Sequence, residues 1–288
     1  MSSDRFYYSS ARLQFVYIDK LEKPVNERAV NNLISLDTFD LVLCLGTIAI
    51  AIALSLWQRL GLAKLLAYSA VRSFMQLIAI GYILNIVFAI DNWWAVVAIL
   101  GIMLTIATIV TRNRIDQKLK GLLPTVAVSL VASSLFTLAY VILLIVQPDT
   151  WYEPQYLIPL AGMLFGNAMN SASLAGDRLL NSINQNRLEI ETHLCLGATP
   201  VQAIASYQKD AIRTGLIPIL NNMVVVGLVS LPGMFTGQVL GGSDPLDAAS
   251  YQILILFAIV LTNIIATVLV TQGIYKSFFN QDAQLIDP

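Results

Sequence analysis

The sequence predicts an all-α, polytopic integral membrane protein of about seven transmembrane helices, with a cytoplasmic helical hairpin between the fifth and sixth. Three observations carry that expectation. Only 12% of the 288 residues are charged and 57% are hydrophobic, with a mean hydropathy of +0.70, whereas a soluble domain carries about 25% charged residues to cover its water-facing surface. Seven stretches free of Asp, Glu, Lys and Arg approach or exceed the roughly 20 apolar residues needed to cross a bilayer. The segments joining them alternate between basic and acidic.

In chain order the stretches are Leu41–Gln58, Ser73–Ile90, Asn92–Thr111, Gly121–Pro148, Pro154–Gly176, Thr214–Ser243 and Ala248–Tyr275. The first four and the last are dense in Leu, Ile, Val and Ala and read as lipid-facing helices. Spans five and six differ, because Gly, Asn, Ser, Met and Pro recur through them. Arg72, with Gln76 one turn deeper at the edge of span two, reads as a side chain that snorkels to the interface.

One set of connecting segments holds Arg59, Lys64, Arg72, Arg112, Arg114, Lys118, Lys120, Arg178, Arg187, Lys209, Arg213 and Lys276. The other holds only the acids Asp91, Asp149, Glu153, Asp244 and Asp247. Basic loops stay in the cytoplasm, so the C-terminus is expected inside and the N-terminus outside a cell membrane. The first forty residues resist this rule, since Arg5, Arg12, Lys20, Lys23 and Arg28 would then lie outside. No apolar core of seven residues interrupts Met1–Leu36, so a solvated or interfacial leader is expected there rather than a signal peptide. The expected organisation is a leader over 1–38, a permease-like transmembrane domain over 39–276 and a short tail over 277–288.

Composition also removes several functions. A net charge of −1 leaves no basic face for nucleic acid. Cys44 and Cys195 are too few for a disulfide framework. His193 is the chain's single histidine, which removes most zinc enzymes and histidine proton relays. No span pairs a nucleophile with a base, so an intramembrane enzyme is disfavoured. Mid-membrane carboxylates are scarce, which weighs against a gradient-driven carrier.

Segment 177–213, between spans five and six, is longer than packed helices need for a connection. It reads as two helices, Arg187–Leu196 and Pro200–Arg213. Gly197 suits the left-handed residue after the first; Thr199 can cap the second, with Pro200 at its first position and Gln202 three residues after the cap. The pattern Glu191-x5-Gly197-Ala198 is similar to the cytoplasmic coupling loop of ABC-transporter membrane subunits. Against the importer version, Leu216-Ile217-Pro218 comes late, so the second helix is longer.

In span five, Met163, Asn167, Asn170, Leu174 and Asp177 fall on one helical stripe. Such groups face a cavity or a neighbouring helix, so the stripe reads equally as path lining and as helix-to-helix hydrogen bonding. Gly162-x3-Gly166 offers a notch for a close backbone. Span six carries Asn221 and Asn222, then Pro232-Gly233-Met234, where a kink or break is expected. Broken backbone at membrane depth needs cover from protein or a water-filled cavity, which points to a substrate path. Gly233, Gly237 and Gly241 repeat at four-residue spacing and predict close packing. Met163, Met169, Met223 and Met234 could be soft metal ligands, but methionine is more often packing filler, and the metal question stays open.

Three blocks resemble one family: Ile158-Pro159-Leu160-Ala161-Gly162-Met163 with Gly166-Asn167-Ala168-Met169; Leu196-Gly197-Ala198-Thr199-Pro200 with Arg213-Thr214-Gly215-Leu216-Ile217-Pro218; and Val226-Gly227-Leu228-Val229-Ser230-Leu231-Pro232-Gly233-Met234 with Gly237 and Asp244-Pro245. Arg72-x3-Gln76-Leu77 with Gly81-Tyr82 joins them. Together they resemble the FetB-type ABC-transporter permeases over about residues 36–275, a family of bacterial iron exporters and plant aluminium-tolerance half-transporters. The resemblance implies a permease, homodimeric, that works with a separate ATP-binding subunit and exports a metal, iron first; nucleotide-sugar export is the alternative. The chain has no Gly-x4-Gly-Lys-Ser/Thr loop, so ATP is expected on the partner. Expected path residues are Met163, Asn167, Asn170, Asp177, Asn221, Asn222, Pro232 and Met234. Expected coupling residues are Glu191, Gly197, Ala198, Thr199 and Pro200.

Overall fold

The computed structural model describes residues 38–90, 92–116, 119, 121–148, 150–280 and 284–286. Residues 1–37 of the leader expected over 1–38, and Asp91, Lys118, Lys120 and Asp149 of the connecting segments, lie outside the described residues. The described chain is helical: α1 Thr38–Trp57, α2 Ala63–Ile90, α3 Trp93–Ile115, α4 Leu122–Tyr140, α5 Pro154–Gln185, α6 Arg187–Cys195, α7 Pro200–Val225, α8 Gly233–Leu240 and α9 Pro245–Ser277. A π-helical turn, Val141–Val146, prolongs α4.

Among the described residues, four helices are long and apolar enough to cross a membrane: Ala63–Ala89, Trp93–Ile115, Leu122–Val146 and Pro245–Ser277. Leu43–Trp57 is a shorter apolar helix. The predicted fifth and sixth spans do not reach that measure, for different reasons. Span five lies within one unbroken 32-residue helix, but its asparagines, serines and glycines dilute its hydropathy. Span six is interrupted between α7 and α8.

The chain divides into two compact units. Residues 38–80 and Leu231–Gln252 form the described part of one, holding α1, the first part of α2, α8 and the start of α9. The other comprises Gly81–Ser230 and Ile253–Pro288.

In this second unit α5 packs against α3, α4 and α7. Its buried side chains include Leu164, Ala168, Ala172, Ala175 and Leu179, so small residues let neighbours come near. At Gly215 of α7 an added Cβ would stand 2.7 Å from the Ser171 backbone oxygen and 2.9 Å from Ala175 Cβ. Gly273 of α9 is likewise closed by Thr125 of α4. The predicted Gly162 and Gly166 notch is not the close approach: Gly162 faces the tip of Met103, and nothing described lies within 4 Å of a Cβ at Gly166.

Several buried hydroxyls of this unit bond within their own helices, while that of Ser134 has no partner among the described residues. Thr111 donates to Ala107 O, Thr137 to Ser133 O, Thr262 to Ala258 O and Thr271 to Thr267 O, at 2.8–2.9 Å. A helix that consumes its own polar side chains this way can be buried in apolar surroundings at little cost.

Candidate transport path and coupling hairpin

After Asn186, α6 and α7 form a helix, turn, helix. The first helix ends as glycine demands: Gly197 takes φ +90°, Ala198 N donates to His193 O and Gly197 N to Leu194 O, both at 3.0 Å, which closes the turn's free carbonyls. Thr199 then opens α7 with a reciprocal cap. Its hydroxyl accepts from Gln202 N at 3.4 Å, and its own N–H donates to Gln202 Oε1 at 2.9 Å, with Pro200 at the first helical position. The helix does not stop near Arg213 as expected. It continues through Pro218 to Val225, so the segment after the hairpin and the first part of span six are one helix.

The hairpin has its own small core, with Ile190 and Ile204 fully buried and Ala203 nearly so. Leu188, Leu196 and Val201 stand exposed, the first two at 79% and 80%. Glu191 is not a bare acid: Arg187 Nε reaches its Oε1 at 3.0 Å, one turn apart. Tyr207 of α7 bonds Glu189 of α6; burial, then that hydrogen bond, then the carboxylate's charge raise the Tyr207 pKa. His193 Nε2 lies 3.8 Å from Glu189 Oε1.

Two further contacts tie α7 to the neighbouring helices. Arg178 of α5 holds Asp210 with two nitrogens, at 2.9 and 3.1 Å. Gln208 donates to Thr271 of α9 at 3.3 Å. Neither contact was legible in the sequence, since both join residues more than thirty positions apart.

The predicted stripe of α5 lies on the face turned away from the unit's core. Met163, Asn167 and Asp177 are half-buried and Asn170 and Leu174 exposed, while Leu164, Phe165, Ala168, Ser171 and Ala172 between them are buried. Asn167 does not bridge helices: its amide donates to Met163 O of its own helix at 2.8 Å. Asp177 accepts from Asn181 at 3.1 Å. Asn170 does bridge, to Arg114 at the end of α3, at 2.7 Å. Charge placement alone had assigned Arg114 to a loop; helical phasing of α3 against α5 brings it to the stripe instead.

Asn221 and Asn222 are exposed in the last turn and a half of α7. The helix ends where Val226 turns extended and Gly227 takes φ +82°, with Gly227 N bonding Ser230 O at 2.9 Å. Span six is therefore broken, not kinked, and the break opens at Val226, six residues ahead of Pro232. Pro232 begins the next helix, taking φ −64° and ψ 150° at the cap of α8, and Met234 is half-buried in that helix's first turn. Predicted close packing at Gly233 and Gly237 is absent, since a Cβ at either would meet nothing described within 4 Å. Pro232 and Met234 belong to the first unit, the asparagines to the second.

The first unit also holds an open cavity of about 270 Å³ lined by Gln238, Ser243, Asp244, Asp247 and Tyr251, which sequence reading missed. Asp244 Oδ1 is occupied in capping α9, accepting from Leu246 N at 2.8 Å. Among the described residues no group of three or more His, Cys, Asp or Glu is arranged to hold a metal.

A profile described as "Uncharacterised protein family (UPF0014)" matches residues 38–279. The chain belongs to the UPF0014 family. The UPF0014 membrane protein slr1647 of Synechocystis is 56% identical over 254 residues, covering 88% of this chain and 98% of that protein. The Arabidopsis protein named ALUMINUM SENSITIVE 3 is 36% identical, over 84% of this chain and 87% of its own length. The Escherichia coli protein named "Probable iron export permease protein FetB" is 33% identical, over 86% and 94%. No solved structure matches this UPF0014 chain significantly.

Proposed function

We propose that this UPF0014 chain is the membrane permease subunit of an ATP-binding-cassette exporter, driven by a separate ATP-binding subunit, with a metal ion, iron first, as cargo. The observation that carries the reading is the continuity of α7. One 26-residue helix, about 39 Å at 1.5 Å per residue, begins in the hairpin turn and ends at a backbone break flanked by Asn221 and Asn222. A push on Leu196 or Val201 can thus be delivered towards the break along one helix, with Pro218 in its interior. The printed name of the Escherichia coli relative supports export of iron.

On this reading the seven predicted spans cross a cell membrane, with the hairpin and C-terminus in the cytoplasm and the N-terminus outside. Met163, Asn167, Asn170 and Asp177 of α5 and Asn221, Asn222, Pro232 and Met234 of the broken span are the residues assigned to the path. A second copy covers the open stripe of α5, because amide groups facing lipid are costly. Glu191, Gly197, Ala198, Thr199 and Pro200 shape the surface that meets the ATPase.

Co-purification with the candidate ATP-binding subunit tests the coupling half. Gly197→Pro and Glu191→Lys are expected to abolish coupled ATPase activity; activity equal to wild type in both would refute the assignment. Metal accumulation in a deletion strain tests the cargo, with Asn167→Leu plus Asn170→Leu expected not to complement. A second reading, a small anionic solute such as a nucleotide sugar, draws on Arg114, whose guanidinium donates to the neutral Asn170 oxygen in the middle of the stripe. Accumulation of that solute instead of metal would select it.

A further inference from the structure

The expected tail over 277–288 pairs with itself where it is described, at residues 278–280 and 284–286. Beyond α9, Ile286 N donates to Phe278 O at 2.8 Å, and Asn280 and Gln284 exchange backbone and side-chain bonds at 2.8–3.1 Å. Phe279 and Leu285 form an antiparallel bridge, and Phe278 is 3% exposed. Such pairing fixes the direction of the Leu285 carbonyl. Arg187 Nη2 approaches that carbonyl oxygen at 3.5 Å, while its Nε holds Glu191 at 3.0 Å. Arg187 is the first residue of α6, so one guanidinium joins the start of the coupling helix, its acid and the end of the chain.

We infer that Arg187 is a positioning residue of the coupling hairpin, and that the paired residues 278–280 and 284–286 are a strap through which Arg187 sets the orientation of α6. The inference rests on the coupling role proposed above for that hairpin. A planar guanidinium suits this work because its nitrogens reach two acceptors in fixed directions, which an ammonium does not. The strap acts on the joint where α6 leaves α5. Asn186 there has φ −111° and ψ 27°, outside helical geometry, although its N–H still donates to Ser182 O and its carbonyl accepts from Ile190 N, both at 3.1 Å, so the joint combines a local change of direction with retained backbone bonds. Motion at α6 is then shared between α7, which leads to the break, and the strap, which resists it.

A charge swap separates this role from simple helix support. Arg187→Glu with Glu191→Arg restores the ion pair of α6 but sets a carboxylate against the Leu285 carbonyl. The second variant removes residues 279–288 and keeps the buried Phe278. Both are made in the full chain purified with its ATP-binding subunit. Each is expected to keep the complex together while lowering coupled ATPase activity by about threefold or more. A nitroxide on Cys195, exposed at the end of α6, in a Cys44→Ser background, reads α6 without any ATPase and should become more mobile in both variants. Wild-type activity in the swap, or an unchanged nitroxide spectrum in both variants, overturns the inference. Failure of the wild-type chain to associate with any ATP-binding subunit overturns the coupling reading instead, while greater nitroxide mobility would still uphold the strap.

Discussion

At its Pro200 end α7 is gripped on several sides, by the Thr199 cap, by Tyr207 on Glu189, by Asp210 on Arg178 and by Gln208 on Thr271. At its Val225 end the neighbouring asparagines are exposed and the backbone leaves the helix through a glycine with positive φ; Leu228 and Val229 stand 88% and 84% exposed in the break. One helix thus has a fixed end and a free end. A continuous helix held this way carries a displacement of its fixed end towards its free end, which is the arrangement a coupled gate requires.

The largest expected effect comes from loosening the middle of this helix. Gly215 lies between the two ends, where a Cβ would meet the Ser171 carbonyl oxygen at 2.7 Å, Ala175 Cβ at 2.9 Å and Thr267 Cγ2 at 3.2 Å. Backbone cannot give way as a side-chain tip can, so Gly215→Val should cost about 3 kcal/mol or more and lower the yield of folded protein in detergent chromatography. Gly166→Ala is the control. It meets nothing described within 4 Å and should be neutral or stabilising by up to about 1 kcal/mol. Equal losses at both positions would mean that helix packing does not distinguish them.

The free end is tested next. Replacing Asn221 and Asn222 together by Leu removes the exposed amides and leaves the cap, the ion pair and the close packing untouched. Transport is expected to fall about tenfold, equivalent to about 1.4 kcal/mol, with association to the ATP-binding subunit unchanged. A matching loss of association would show that the two ends are not separable.

The contrast between the ends also marks what could be read before any coordinates. The cap at the fixed end was legible because its chemistry is local. Gly197 must supply positive φ, and Thr199, Pro200 and Gln202 sit at the spacing a cap requires. The free end was legible only as a disturbance. Pro232 draws attention as a helix breaker, but the chain had already left the helix at Val226, because Gly227 offered the left-handed conformation first. Pro218, equally a helix breaker by rule, lies inside α7 without ending it. Long-range partners left no local trace. Arg114 meets Asn170, and Arg187 meets Leu285, 98 positions away, only once the helices are packed. The stripe of α5 was visible as a periodicity, but whether it turned inward depended on the small residues between its members, which draw α3, α4 and α7 to the opposite face.

The smallest effect concerns the cap itself, and it separates rigidity from contact. Thr199→Ala removes the hydroxyl that accepts from Gln202 N and leaves the Thr199 backbone free to keep its bond to Gln202 Oε1. The loss should be about 1 kcal/mol, visible as a small drop in thermal midpoint of the purified chain. Thr199→Ser should restore it. Because Tyr207, Gln208 and Asp210 still hold α7 about two to three turns further on, coupled ATPase activity should change by less than about twofold. If Thr199→Ala instead uncouples the complex while the midpoint barely moves, the threonine is itself a contact for the ATPase. The fixed end would then owe its importance to what it touches more than to how firmly it is held.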